Sequence, residues 1–304
     1  MGWRTVIISN TAKLDYKMGY LCIRSNEDLK RIFIDEINVL IIENTNVSLT
    51  TYLLVELANK GVDIVFCDNK RCPNGMYRAL YGAYDVSRSV RSQIVWSKES
   101  KAHVWQKIVC SKIEGQSEVL KYLGNIESSK KLVSYLSQVE LGDASNREGH
   151  AAKVYFNSLF GMEFSRERND DCSFINSALN YGYSILLSLI AREIVINGYL
   201  TQVGIFHDNV FNEFNLASDL MEPFRPFIDA LVYKMDDKEL NHDSKIKLIS
   251  FLNRKIKIDN REQYFSNAVN IYVKTVLDAI TNNDVSIIKF PNYDLSLYES
   301  TGVL

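Results

Sequence analysis

The hydrophobic pattern of this 304-residue chain changes near residue 70, and that change constrains the fold more than any other feature. Before it, apolar residues fall in short β-branched and aromatic runs, separated by turn residues such as Asn10, Gly19 and Asn44. After it, apolar residues recur at helical spacing, as in the long segment that precedes Asn197-Gly198. The two patterns together predict a β-rich region followed by a helical region.

The first region is expected to contain several strands and one helix. The helix should begin after Ser48, a good N-cap residue, and end near Gly61. Pro73-Asn74-Gly75 then indicates a turn and a linker. The predicted strands are Thr5–Ile8, Lys13–Tyr16, Tyr20–Ile23, Arg31–Ile34, Val39–Ile42 and Val62–Phe66.

The second region has the spacing of helices throughout. The predicted helices lie near 87–112, 116–124, 128–139, 146–160, 172–197, 215–235, 243–254 and 260–281. We therefore expect an α+β fold with two domains. A small, sandwich-like β-rich domain would cover 1–72, a linker 73–86, and a larger all-α domain 87–304.

Composition excludes several classes of protein. An apolar fraction of 46% and a charged fraction of 24% are typical of a globular chain. The apolar run Tyr183–Ala191 is too short to span a bilayer and no export signal precedes it, so we expect no membrane contact and a cytoplasmic location. Five cysteines without a disulfide rhythm indicate reduced thiols. The net charge of −2 argues mildly against nucleic-acid binding, although positive charge can collect on one face.

His207 is the histidine best placed for chemistry. It lies in Gly204-Ile205-Phe206-His207-Asp208-Asn209, a short connection between two predicted helices. Such a residue can be a metal ligand or an acid–base group, or simply a histidine on a surface loop.

Two carboxylates, Asp219 and Glu222, follow at a spacing of three residues. On one helix they would share a face, and they would repel each other unless a cation or proton intervened, as in a site for a hard metal ion. A solvated acidic first turn is the alternative. Arg225 can neutralise Glu222 or bind a phosphate, and Pro223 predicts a kink or a new helix start.

Glu148 stands at the start of a predicted helix. Ser145 and Glu148 have the spacing of a capping box, in which the glutamate would bond only to backbone, and local sequence favours that interpretation.

Cations and aromatic rings alternate from the linker into the first predicted helix of the second region, a pattern that can track a DNA backbone and stack on bases, or form an ordinary solvated helix face. Arg88 and Arg91 fall on one helical face, and Arg166 and Arg168 form a smaller cluster. The first cluster comprises Arg78, Arg88, Arg91, Lys98, Lys101 and Lys107, with Tyr77, Tyr81, Tyr84 and Trp96.

Taken in order, six segments resemble the CRISPR-associated integrase family, and in particular its type II (II-A-like) branch. They are Gly2-Trp3-Arg4-Thr5-Val6, Gln93-Ile94-Val95-Trp96, Arg147-Glu148-Gly149-His150-Ala151-Ala152, Asn176-Ser177-Ala178-Leu179-Asn180-Tyr181-Gly182-Tyr183, Gly204-Ile205-Phe206-His207 and Asp219-Leu220-Met221-Glu222-Pro223-Phe224-Arg225. Each alone is weak, but their order and distances are specific, and the resemblance covers nearly the whole chain.

The resemblance implies a β-domain that dimerises, a catalytic helical domain and a site for one Mg²⁺ or Mn²⁺ ion. Its ligands would be Glu148, His207 and Glu222, with Asp219 as a further catalytic carboxylate beside them. Tyr155, Asn180 and Arg225 would surround these ligands. The residues implied to bind DNA are Arg78, Arg88, Arg91, Arg166, Arg168 and Arg225.

The implied activity is to join the 3′-hydroxyl ends of foreign DNA fragments into the CRISPR repeat array. Double-stranded DNA would be the substrate, and homodimers would clasp a dimer of a small ferredoxin-like companion protein, helped by other type II adaptation proteins and the effector nuclease. Two alternatives stay open: a metal-dependent DNA or RNA nuclease that does not integrate, and an inactive DNA-binding scaffold of the adaptation complex.

Overall fold

The chain forms two compact units. The computed structural model describes residues 2, 4–25, 28–69, 73–77, 79, 85–167 and 173–301. One unit comprises Met1–Val86 and Val195–Gly198, and the other comprises Ser87–Ile194 and Tyr199–Leu304. The first is rich in strands and the second is larger and helical, which confirms the predicted fold class.

The β-rich unit contains two four-stranded sheets. Its elements are β1 (Arg4–Ile8), β2 (Lys13–Lys17), β3 (Tyr20–Arg24), β4 (Leu29–Phe33), β5 (Ile37–Ile42), β6 (Ser48–Leu49), α1 (Thr51–Asn59), β7 (Asp63–Cys67) and β8 (Pro73–Tyr77). One sheet has the order β1-β5-β7-β8 and the other the order β4-β3-β2-β6. Strands β1, β5 and β7 are parallel, and α1 lies in the crossover that joins β5 to β7.

Strand β5 explains why part of this unit reads as continuously apolar. All six of its residues, Ile37–Ile42, are buried, so no alternation of polar and apolar residues appears. Two predictions need correction here. Residues 73–77 pair with β7 as an edge strand, although we expected the linker to begin there, and a proline tolerates the first position of such a strand. The side chain of Thr50, not Ser48, caps α1.

The larger unit is built on ten helices among the described residues. They are α2 (Val86–Ile94), α3 (Lys98–Tyr122), α4 (Ile126–Leu136), α5 (Arg147–Phe160), α6 (Phe174–Ile196), α7 (Asn215–Leu220), α8 (Arg225–Tyr233), α9 (His242–Ile249), α10 (Phe265–Asn282) and α11 (Leu295–Ser300). A small sheet of order β10-β9-β11 accompanies them, formed by β9 (Lys255–Ile258), β10 (Arg261–Tyr264) and β11 (Pro291–Asn292). The unit is therefore not purely helical, as the predicted all-α domain would be. Its strands are not predicted from the sequence because, at two to four residues each, they are too short to show a period.

Several predicted helix boundaries differ from the structure, two of them for identifiable reasons. The expected helix over 87–112 is divided, because the Ser97 side chain accepts the N–H of Ser100 and starts α3 there. The expected helix over 215–235 is interrupted by a 3₁₀ turn at Glu222–Phe224, where Pro223 cannot continue the preceding hydrogen-bond ladder.

Helix α6 is the one helix, among the described residues, long and apolar enough to cross a membrane. The central run Tyr183–Ala191 alone is too short to span a bilayer, but the helix extends beyond it on both sides. In the fold, 72% of the most apolar stretch of α6 is buried inside the protein, as in the core helix of a globular unit.

Candidate functional site

Glu148 lies in the first turn of α5, and its side chain is not used for capping. Asp143 caps this helix instead, since its carboxylate accepts the N–H groups of Arg147 at 2.8 Å and Glu148 at 3.0 Å. The Ser145 hydroxyl donates to the carbonyl of Gln138. The capping-box interpretation is therefore wrong, and the Glu148 carboxylate is available for other partners.

Asp219 and Glu222 do not share a helix face, contrary to their spacing. Helix α7 ends at Leu220, and the 3₁₀ turn that Pro223 imposes carries Glu222 in a different direction. Both side chains are buried. The two carboxylates consequently have different partners and different roles.

Asp219 organises the loop that carries His207. Its carboxylate accepts the backbone N–H groups of Ile205 at 2.6 Å, Phe206 at 3.0 Å and His207 at 3.0 Å. It also lies 2.6 Å from His207 Nδ1. Since an ionised carboxylate only accepts, Nδ1 carries the hydrogen, and Nε2 is the ring nitrogen that can ligate a metal ion. This hydrogen bond raises the pKa of His207 above its usual value, although partial burial opposes the shift.

Side chains of helices α2 and α3 contact the same loop. Trp105 stacks on Phe206 with ring centroids 4.4 Å apart, and Lys101 Nζ donates to the Gly204 carbonyl at 2.9 Å. The amide of Gln93 bonds to the backbone of Leu200 and Val203. Sequence reasoning noticed Lys101 only as a cation and missed Gln93 and Trp105 as loop supports.

The central contact of the site is made by Lys112, which the sequence analysis missed. Its Nζ lies 2.6 Å from Glu148 Oε1 and 2.5 Å from Glu222 Oε2. Burial disfavours a charged amine, but the two carboxylates, Glu222 first, raise the pKa of Lys112 above its usual value. A lysine one turn beyond Ile108 and Val109, in the buried stripe of α3, was the available signal.

Arg225 holds Glu222 from the other side. Its guanidinium lies 3.1 Å from Glu222 Oε1 and 4.7 Å from the centre of the Tyr183 ring. Burial opposes ionisation of Glu222, yet Arg225 and Lys112 lower the pKa of that carboxyl. The predicted neutralising role of Arg225 agrees with this contact, and its binding to DNA stays a prediction.

A buried polar group lies behind Arg225. The Tyr183 hydroxyl donates a short hydrogen bond to Asp229, and burial raises the pKa of Asp229 to about 6. Tyr155 is fully buried and faces the same carboxylate without hydrogen-bond geometry. Tyr155 thus lies beside the Tyr183–Asp229 pair, and Tyr183 is the member of that pair on which Arg225 stacks.

The residues of this site fit a divalent ion by type more than by present arrangement. Glu148, Glu222 and His207 Nε2 are donors that Mg²⁺ or Mn²⁺ accepts. The buried Glu222 Oε2 lies 2.5 Å from the Lys112 ammonium, and a carboxylate oxygen that faces a flexible ammonium can exchange it for a metal ion. Within the described part of the chain, no three His, Cys, Asp or Glu side chains already converge on one point. The Lys112 ammonium stands between the two glutamates.

The remaining predicted residues lie around the site or outside the described part. Asn180 accepts from Arg166 at 2.7 Å, and Arg166 also lies over the Tyr183 ring. Arg88 and Arg91 are exposed on α2. The predicted DNA-binding residues Arg78 and Arg168 lie outside the described residues.

Comparison with known proteins decides the family. A family model described as CRISPR associated protein Cas1 matches residues 5–247. The chain is 34% identical, over 298 residues and 96% of both chains, to the CRISPR-associated endonuclease Cas1 of Neisseria meningitidis serogroup C (strain 8013). This chain belongs to the Cas1 family. The family resemblance drawn from the six segments is therefore confirmed, while the type II branch stays a prediction.

Two solved structures share the fold of this Cas1-family chain. A casposase bound to integration product superposes with a TM-score of 0.74 at 19% identity, covering 93% of this chain and 92% of that one. A Cas6-RT-Cas1–Cas2 complex gives a TM-score of 0.70 at 17% identity, covering 94% of this chain and 36% of that one. At such identities the likeness establishes the fold alone.

Proposed function

We propose that this chain is a divalent-metal-dependent DNA integrase and endonuclease of CRISPR adaptation. The supporting observation is that Glu148 and Glu222 meet around one cation in a member of the Cas1 family. His207 lies close enough to contribute to the lowered pKa of Glu222, and Glu222 in turn contributes to the raised pKa of His207. These are the side chains that the family resemblance implied.

In the proposed site, Glu148, His207 and Glu222 would hold Mg²⁺ or Mn²⁺. The ion would act as a Lewis acid on the phosphodiester and neutralise negative charge that develops there. Asp219 keeps the His207 ring oriented through Nδ1, and Arg225 restrains Glu222. Asp219 is accordingly proposed as a positioning residue, not as a ligand.

The proposed reaction is a phosphodiester exchange. The 3′-hydroxyl oxygen of a DNA fragment bonds to a phosphorus atom of the repeat strand, and the bond from that phosphorus to the neighbouring 3′ oxygen breaks. The departing strand takes up a proton and leaves with a free 3′-hydroxyl. With water as the nucleophile, the same exchange is hydrolysis, which accounts for an endonuclease activity.

The proposed partners follow from the structural neighbours and from the family. A casposase bound to integration product and a complex containing Cas2 support double-stranded DNA and a small, ferredoxin-like Cas2 companion. We further propose a homodimer that works in the cytoplasm of a type II system, with the other adaptation proteins and the effector nuclease as further partners.

Strand transfer tests this proposal. A labelled fragment with 3′-hydroxyl ends is incubated with a repeat-bearing plasmid, the companion protein and Mn²⁺ or Mg²⁺. Glu148→Gln, His207→Ala and Glu222→Gln should each abolish joining while the chain stays folded. Glu127→Gln, an exposed glutamate on α4, is the matched control and should join as the wild type does.

Each other result points to a different function. Cleavage without joining would favour the non-integrating nuclease. Equal joining by all variants would refute the site, and DNA binding without any reaction would favour the inactive scaffold.

A further inference from the structure

Lys112 is the residue of the site whose role the proposed function leaves unexplained. Its side chain is 10% exposed, and its ammonium contacts Glu148 and Glu222 at 2.6 Å and 2.5 Å. In the described part of the chain, both ion pairs of this ammonium are with those two carboxylates. It therefore stands where the two proposed metal-binding side chains come together.

The buried ammonium of Lys112 supplies positive charge between two carboxylates. Removing an ammonium from water is costly unless opposite charges surround it. A partly buried carboxylate (Glu148) and a buried one (Glu222) that face each other are likewise unfavourable without a cation. Lys112, Glu148 and Glu222 therefore balance each other's charge.

The same charge balance cannot hold once a divalent ion binds. A metal ion bound by both glutamates needs the oxygens that Lys112 now contacts, and an ammonium beside a divalent cation is repelled. Either the lysine leaves or the ion is excluded. The Lys112 ammonium can move away from the two carboxylates, because it stands at the end of a flexible four-carbon chain.

Arg225 is not equivalent to Lys112 in this respect. It contacts the other oxygen of Glu222, Oε1, and its planar guanidinium is stacked 4.7 Å from the centre of the Tyr183 ring. That packing fixes the arginine on one side of Glu222. The exchangeable position is therefore the Oε2 side, where the flexible Lys112 side chain makes the contact.

We propose that Lys112 is an internal counter-cation that occupies the space between Glu148 and Glu222 and competes with the divalent ion for it. The inference rests on the proposed metal site. It predicts two linked effects: Lys112 stabilises the metal-free fold, and it weakens the apparent affinity for the metal ion. Binding that must first break two ion pairs is weaker than binding to vacant carboxylates.

Direct metal binding tests the competition without any reaction. The full-length chain, freed of metal with a chelator and without DNA, is titrated with Mn²⁺, and free Mn²⁺ is followed by electron paramagnetic resonance. Melting temperatures are measured in chelator and in excess Mn²⁺. The variants are Lys112→Met and Lys112→Gln, so that a folding defect in one leaves the other informative.

The control is Lys121→Met, which removes an exposed ion pair with Glu118 on the same helix. We expect Lys112→Met and Lys112→Gln to bind Mn²⁺ about tenfold more tightly than the wild type. Their melting temperatures should be lower in chelator and rise more on adding Mn²⁺. Lys121→Met should match the wild type in each measurement.

Failure of this inference differs from failure of the metal site. If Glu222→Gln weakens Mn²⁺ binding but both Lys112 variants bind as the wild type does, or more weakly, the metal site stands and the competition is refuted. If neither the wild type nor any Lys112 variant binds Mn²⁺, both proposals are refuted.

Discussion

Asp219 shows how one buried side chain can determine the geometry of another. It accepts three backbone N–H groups and orients His207, so its carboxylate defines the whole loop from Gly204 to His207. A methyl group at Gly204 would lie 2.9 Å from Asp219 Oδ2 and 2.2 Å from the His207 carbonyl. Only glycine permits this close approach, so the conformation of the loop depends on Gly204 and Asp219 together.

Asp219→Asn should destabilise the chain by about 2–4 kcal/mol, because an amide cannot accept at both of its terminal atoms and leaves buried donors unpaired. Urea unfolding at neutral pH measures the loss. Asp208→Asn, an exposed carboxylate of the same loop, is the control and should change stability little. Equal stability of the two variants would contradict this assignment.

Asp229 should make stability depend on pH. Its pKa in the folded chain is about 6, above its ordinary value of 3.8, so the folded state holds a proton that the unfolded state releases in between. Its stabilising contribution is complete below about pH 4 and is lost as the pH rises through about 6.

Asp229→Asn should remove this dependence, since it stays neutral and still accepts from Tyr183. The free energy of unfolding of the variant, relative to the wild type, should rise by about 1–3 kcal/mol between pH 4 and pH 7. Unfolding at several pH values measures it, with exposed Asp278→Asn on α10 as control. Parallel curves for wild type and Asp229→Asn would argue against a raised pKa.

At the scale of elements, α3 connects the parts of the site. Trp105 and Lys101 hold the histidine loop, Lys112 joins the two glutamates, and Gly115 packs against the C-terminal segment. There the Tyr293 hydroxyl donates to the Pro223 carbonyl, in the 3₁₀ turn that carries Glu222. Helix α3 therefore contacts every segment that carries a proposed metal ligand.

Gly115→Ala should disturb the packing of α3 against Tyr293. Its new methyl group would lie 2.4 Å from the Tyr293 ring, and relieving that overlap should cost about 1–3 kcal/mol. Thermal unfolding measures the loss. Gly149→Ala on α5, which meets only the end of the Asn146 side chain, is the control. Unchanged stability of Gly115→Ala would show that the segment yields freely.

At the scale of the whole molecule, near-neutral charge must be reconciled with proposed binding to DNA. The net charge is −2, so attraction to phosphate has to come from local clusters. Arg88 and Arg91 are exposed on α2, whereas Arg225 is engaged with Glu222 inside the site. The exposed pair is therefore the better candidate for phosphate contact.

Arg88→Ala and Arg91→Ala should weaken DNA binding uniformly across sequences and reduce its salt dependence by about one counter-ion each. Fluorescence anisotropy at several salt concentrations measures this. Arg261→Ala, exposed on β10, is the control. If all three variants bind as the wild type does, DNA contacts the protein elsewhere.

Patterns that are local along the chain were predictable. Six of the eight strands described in the β-rich unit, the long helices of the other unit and the interruption at Pro223 follow from periodicity and backbone chemistry. The identity of His207, Glu148 and Glu222 as candidates came from motif order. The small sheet and the cap by Asp143 were missed, because short strands and non-adjacent caps leave no periodic signal.

The sequence by itself determined the β-rich and helical units, the family and the candidate ligands, because these depend on periodicity and on the order of short segments. Only the tertiary structure decided what each candidate side chain contacts. Asp219 contacts the loop that carries His207, whereas Glu222 contacts Lys112. Lys112 lies between Glu148 and Glu222, which are 36 and 110 positions further along the chain. Such contacts depend on how distant helices pack, and no spacing within one segment encodes them.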